Sequence, residues 1–234
     1  LRGLAGEKAR QRLKTEGWNP DLFSLLLGAS GGPKWLVLSQ LDRVLIPFLQ
    51  QRQTPLAMLG TSIGSWRHAC YAQEEPLAAI ETFERLYIGQ RYTDKPGIDE
   101  VTEVSQGIMK GILGERGRAS IVQHSLFQTH IGTARGKGLL ASRRPWVHGL
   151  GLGLAALSNL MSRSFLQGFY QRVVFSHGGD SDASGMEYGG FASTSVALEE
   201  DNVFDALMAS ASIPLVLDGV PSPAGAPGGT YWDG

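Results

Sequence analysis

The sequence predicts an α/β fold on a mostly parallel sheet, and three observations carry that prediction. An apolar run of strand length at 22–27 leads into a glycine-rich loop, and apolar residues at helical spacing follow over 36–49. Pro55 opens a second apolar run, 56–59, which ends in Gly60-Thr61-Ser62-Ile63-Gly64 and a helix-like stretch from Trp66. Strand, loop, helix, strand, elbow and helix form a βαβα unit, which a right-handed crossover closes into parallel strands. Both loops then fall at the carboxyl edge of one sheet, where ligands bind in such folds.

A chain of 234 residues holds one sizeable domain with a substantial core, so we take 1–234 as a single domain. Its 21 Lys and Arg against 22 Asp and Glu give no support for a nucleic-acid partner. Cys70 stands alone, which excludes an internal disulfide or a cysteine-based zinc site and points to a reducing, cytoplasmic setting. No apolar signal core occurs in the first ten residues; because the chain opens on Leu1 rather than Met, a leader or initiator segment is expected to be missing.

Taken in order, residues 8–17 read as a short charged helix closed by Gly17, and Trp18-Asn19-Pro20 turns the chain. The run 22–27 is apolar on both faces, as in a buried parallel strand. Gly28-Ala29-Ser30-Gly31-Gly32-Pro33-Lys34-Trp35 then exposes backbone N–H groups at the start of a helix, where negative charge is stabilised. A Walker phosphate loop fails because Pro33 and Trp35 flank Lys34, and the dinucleotide spacing fails as well. What remains is an oxyanion hole with the N–H groups of Gly31 and Gly32 as donors, or a tight turn without a chemical role.

In the elbow, Gly60 and Gly64 are the small neighbours that let the backbone fold sharply and lift a hydroxyl clear, so Ser62 is the candidate nucleophile. A helix is expected from residue 66 to a break at Pro76. The middle of the chain, about 90–172, reads as a variable lid or substrate-binding part. Within it 101–113 is helical, 121–131 is strand or helix, and Arg135-Gly136-Lys137-Gly138 is a basic turn. Residues 146–161 are weakly polar but shorter than the ~20 apolar residues of a spanning helix. Flanked by Arg143, Arg144 and Arg163, they suit either a buried or lid helix or a segment lying on a membrane surface.

Residues 173–175 and 191–198 read as strands around a polar loop, 176–190, holding His177, Asp180 and Asp182. A helix follows over 202–210, with Asp201 or Asn202 as its cap, and ends before Ile213-Pro214. The Pro/Gly-rich loop 221–229 leads to Tyr231-Trp232-Asp233-Gly234. His124 and His130 lie six apart with no acidic partner at metal spacing, so no metal ligand set is expected.

A serine hydroxyl needs a base to become a nucleophile at neutral pH. No histidine follows Asp233, and among those after Ser62 only His177 sits at an expected strand end. Asp233 reads equally as a strand-end carboxylate and as an Asp-Gly turn. Three readings stay open: a Ser–Asp hydrolase, an acyltransferase with a Ser–His pair, and a catalytically silent lipid- or protein-binding module.

Gly28 to Lys34, Gly60-Thr61-Ser62-Ile63-Gly64, the run Ala209-Ser210-Ala211-Ser212-Ile213-Pro214 and the closing Asp233-Gly234, in that order, resemble a patatin-like phospholipase. The resemblance spans nearly the whole chain; Ser30 and Trp35 depart from it, standing where the family has glycines. It implies a three-layer α/β/α fold and a lipid acyl hydrolase that needs no cofactor, histidine or metal. Position by position, it implies Ser62 as nucleophile, Asp233 as its base, Gly31 and Gly32 as oxyanion donors, and Gly28 and Lys34 as supports of that loop. The implied partner is a lipid or other acyl ester, with peripheral membrane contact. Because the family fold continues past this motif, the resemblance also implies a chain cut short at its C-terminus.

Overall fold

Gly17, at φ +72°, ends the first helix, α1 (Glu7–Glu16), in a conformation that favours glycine. The Asn19 side chain then accepts the Asp21 N–H and opens a 3₁₀ turn, Pro20–Leu22, so the apolar run that follows forms a strand only over β1 (Leu25–Gly28). The structure is a computed structural model, and it describes residues 4–161, 163–178 and 193–234. Among the described residues β1 pairs only with β2 (Leu56–Thr61), and Leu27 is 66% exposed. The expected buried strand is therefore an edge strand, apolar on both faces with one of them uncovered.

The helix expected at 36–49 begins as a 3₁₀ turn, Gly32–Val37, with Pro33 in its first turn, and continues as α2 (Ser39–Leu49). After the elbow, α3 (Ile63–Tyr71) ends early, and Pro76 opens α4 (Pro76–Ile88) instead of closing α3. A proline costs nothing at the first helical position, where its missing N–H has no partner to lose. α5 (Ile98–Leu113) covers the expected helix; 121–131 divides between the end of α6 (Gly117–Gln123) and β3 (Phe127–Gly136). Arg135 and Gly136 thus end a strand, and the turn begins only after them, with Gly138 at φ +55°.

A 3₁₀ turn at Gly138–Ala141 leads to α7 (Pro145–Met161), another at Arg163–Gly168 to β4 (Tyr170–Ser176), and β5 (Ser193–Ala197) follows. Asp180, Asp182 and the first residues of the strand expected at 191–198 lie outside the described residues. α8 (Val203–Ala211) has no side-chain cap. Asn202 is instead occupied by the preceding turn: its Oδ1 accepts the Glu199 N–H, and its Nδ2 donates to Ala197 O and Ala224 O. The short β6 (Val220–Pro221) and β7 (Thr230–Asp233) close the described chain.

The seven strands of the described residues form one sheet in the order β1-β2-β3-β4-β5, with β7 also on β3 and β6 on β7. It is mixed and mostly parallel: β1–β2, β2–β3 and β4–β5 run parallel, whereas β4 and β7 are antiparallel to β3. The antiparallel step arises because the connection through α7 returns to the end of β3 it left, where the Lys137 N–H donates to Phe169 O at 2.8 Å. On one face α3, α6 and α8 pack against β3, and buried Met58, Ile131, Phe175 and Tyr231 belong to the core there. Strand alternation turns Trp232 away from that core, and its ring meets His148 of α7 at 4.1 Å on the other face.

Candidate active site

The register of β3 brings the two ends of the site together. Gly132 pairs with Thr61, the last residue of β2, and the next residue, Thr133, pairs with Asp233, the last of β7. β7 thus occupies the place along β3 that β2 vacates at the elbow, and residues 62 and 233 meet end to end. The Ser62 hydroxyl donates to Asp233 Oδ2 at 2.9 Å.

The elbow that presents Ser62 is possible only with small residues around it. Ser62 has φ 53° and ψ −133°, a conformation that an L-residue adopts at a cost of about 1–3 kcal/mol. A Cβ on Gly64 would come within 2.2 Å of Gly28 O, and one on Gly60 within 2.5 Å of Ser65 Cα. One on Gly28 would lie 2.8 Å from Gly64 O. Gly28 therefore supports the site by letting β1 close directly onto the first turn of α3.

Hydrogen bonds hold this strained turn from three sides. The Ser62 N–H donates to Ser210 Oγ at 2.9 Å, Ser210 Oγ donates to Gly132 O at 2.7 Å, and Ser65 Oγ donates back to Ser62 O at 2.6 Å. Trp66 Nε1 donates to Leu207 O at 2.9 Å and ties α3 to α8. Farther along α3, buried Arg67 pairs with Asp42 of α2, which also accepts the Tyr71 hydroxyl at 2.7 Å. On the acid's side, the Asp233 N–H donates to Ser212 O at 3.0 Å.

The glycine loop lies beside Ser62. Gly32 and Ser62 line one cavity of about 190 Å³, whose walls include Ile63, Trp66, Ile108 and Leu217. Gly32 has φ +50°, and neither its N–H nor that of Gly31 meets a protein acceptor among the described residues. Both donors are thus unspent. Lys34 supports the loop through its backbone, whose N–H donates to Gly31 O at 3.2 Å, while its side chain is exposed. The departures at Ser30 and Trp35 act as anchors. Ser30 and Thr61 share a hydroxyl hydrogen bond of 2.9 Å, and Trp35 stacks on Phe83 at 3.9 Å in the core.

Burial pushes the Asp233 carboxyl up to about 6, although the Ser62 hydroxyl and the Gly234 N–H both pull it down. A carboxylate so placed is a stronger base than one in water yet is ionised at neutral pH. Asp233 also borders a second space of about 580 Å³ on the outer face of the sheet, lined by Thr61, Leu166, Tyr170 and Arg172 among others. The Ser62–Asp233 pair therefore borders two cavities, one through each residue.

The histidines are elsewhere. The His177 N–H donates to Thr129 O at 3.0 Å, three residues along β3 from Gly132, which puts His177 about 10 Å from the elbow's level. His68 is buried under Gly28, and burial holds its imidazole down to about 3, so it is neutral. Among the described residues, no group of three His, Cys, Asp or Glu side chains is placed to hold a metal ion.

Two contributors escaped sequence reasoning. The Ser210 hydroxyl bridges the elbow and β3, and Ile63, at the open start of α3, places a backbone N–H directly after the elbow serine. Ser210 stands inside the run 209–214, but only the paired strands show what its hydroxyl reaches; the place of Ile63 follows from the elbow itself. The chain matches no family model, no curated protein and no solved structure.

Proposed function

We propose that the chain is a serine hydrolase of lipid acyl esters, with the Ser–Asp dyad and three-layer α/β/α architecture of patatin-like phospholipases. The observation that carries this reading is the 2.9 Å hydrogen bond from Ser62 Oγ to Asp233 Oδ2, made across 171 residues of chain. Asp233 takes the proton as Ser62 Oγ bonds to the acyl carbonyl carbon, and the carbonyl oxygen becomes negative. The N–H groups of Gly31, Gly32 and Ile63 are the donors for that oxygen, a role in which one lost donor costs about 10²–10³ in turnover. Collapse of the tetrahedral intermediate expels the alcohol, which takes the proton from Asp233. Water, deprotonated by the same carboxylate, then releases the fatty acid and restores Ser62.

The apolar walls of the Ser62 cavity suit an acyl chain, and the acid's position bordering a second cavity leaves room for the alcohol part. A Ser–His pair lacks this support, because His177 sits at the level of Thr129.

Ser62→Ala is expected to lower hydrolysis of a p-nitrophenyl ester by about 10⁴-fold or more and to abolish fluorophosphonate labelling. Full labelling of that variant would refute the assignment. The pH dependence follows from Asp233. The base works ionised, so turnover rises with pH through about 6. Stability has the opposite sign: a carboxyl raised from 3.8 to about 6 binds its proton more tightly folded than unfolded. Its contribution therefore falls as pH rises across that window, and the difference between wild type and Asp233→Asn in urea melts at each pH isolates it.

A further inference from the structure

α7 turns an apolar face outward. Trp146, Leu150, Leu154, Leu157 and Leu160 recur every three or four residues, which places them along one side of an α-helix. Trp146 is 69% exposed, Leu157 63% and Leu160 83%. The opposite side is the one that packs: the His148 ring lies against that of Trp232, Ala155 is buried, and Gly151 lies against Leu140. No helix among the described residues is long and apolar enough to cross a membrane, so this face meets its partner from the side.

Charge identifies that partner. Residues 133–178 contain Arg135, Lys137, Arg143, Arg144, Arg163 and Arg172 and no Asp or Glu, in a chain where acidic residues slightly outnumber basic ones. Asp218 pairs with Arg143, whereas the Arg144 side chain, exposed at the start of α7, has no protein partner among the described residues. A second copy of the chain would bring like charges together. An anionic bilayer presents the opposite charge with an apolar layer beneath it.

The face is also continuous with the site. After α7, Phe165 is exposed on the 3₁₀ turn Arg163–Gly168, and Leu166 of that turn lines the same cavity as Asp233 and Arg172. We infer that the outer face of α7, with Phe165, lies in the surface of an anionic phospholipid bilayer and sets the mouth of the Asp233 cavity against the lipid. This rests on the acyl-hydrolase reading for its purpose but not for its test.

The test uses the full chain carrying Ser62→Ala, so that vesicles are not consumed and binding is read apart from turnover. Co-sedimentation compares vesicles of phosphatidylcholine mixed with phosphatidylglycerol against phosphatidylcholine alone. Binding is expected to favour the mixed vesicles. Leu150→Ser, Leu154→Ser and Leu157→Ser together are expected to lower partitioning about 30-fold, since each leucine leaves the interface. Arg144→Gln is expected to lower it about fivefold on mixed vesicles and not at all on neutral ones.

Should the triple variant not fold, quenching of tryptophan fluorescence by bromine-labelled lipid decides, because it should be lost in Trp146→Phe. Equal binding by a folded triple variant, equal quenching in Trp146→Phe, or no binding to mixed vesicles would overturn the inference. So would a dimer that the triple variant dissolves, which would show a second copy on this face. Wild-type hydrolysis of a soluble ester is a separate readout, and its absence would strike the hydrolase reading while leaving membrane binding intact.

Discussion

The elbow and α7 use the same two residue types to opposite ends. At the elbow, Gly28, Gly60 and Gly64 sit where a single added carbon would overlap backbone, and Leu56 just before it is fully buried. In α7, Gly149 and Gly153 face open space, and Leu150, Leu154, Leu157 and Leu160 face outward. The difference separates two tasks. A hydroxyl must be held against a carboxylate within a few tenths of an ångström, which close backbone packing achieves. A surface that takes up disordered lipid needs apolar area and no fixed partner.

Substitutions that add one carbon to each region should break or sharpen this contrast. Gly64→Ala carries the largest expected cost, about 3 kcal/mol or more in urea unfolding, because β1 and α3 cannot both stay where they are. Ser210→Ala leaves the Ser62 N–H buried without an acceptor and should cost about 1–3 kcal/mol, with a fall in kcat larger than any change in KM. Gly153→Ala should act with the opposite sign, stabilising the chain by up to about 1 kcal/mol, since nothing lies within 4 Å and alanine favours a helix. If Gly64→Ala were as harmless as Gly153→Ala, the elbow would not be the tightly packed element described above.

Ser62, its flanking glycines and the glycine loop were legible in the sequence because each depends on local backbone chemistry: an apolar run before Gly60 and a helical stretch after Gly64 separate a strand-to-helix elbow from an ordinary Gly/Ser turn. The place of Asp233 was legible only through a resemblance, since its alternative, an Asp-Gly turn, has the same local pattern. What decides it is the register of β3, a pairing among residues 61, 132, 133 and 233 that no local pattern encodes. The same limit explains β1. The run 22–27 reads as buried on both faces, but whether a strand is central or at an edge depends on neighbours far away in the chain. Pro76 shows an ambiguity of another kind, because a proline that ends one helix and a proline that begins the next leave the same mark.

The most direct test of the dyad is the rate at which a fluorophosphonate labels Ser62, followed against pH in wild type and in Asp233→Asn. If the carboxylate activates the serine, labelling of the wild type climbs with a midpoint near pH 6 and labelling of the variant stays low at every pH. Equal rates in the two proteins above pH 7 would contradict the account.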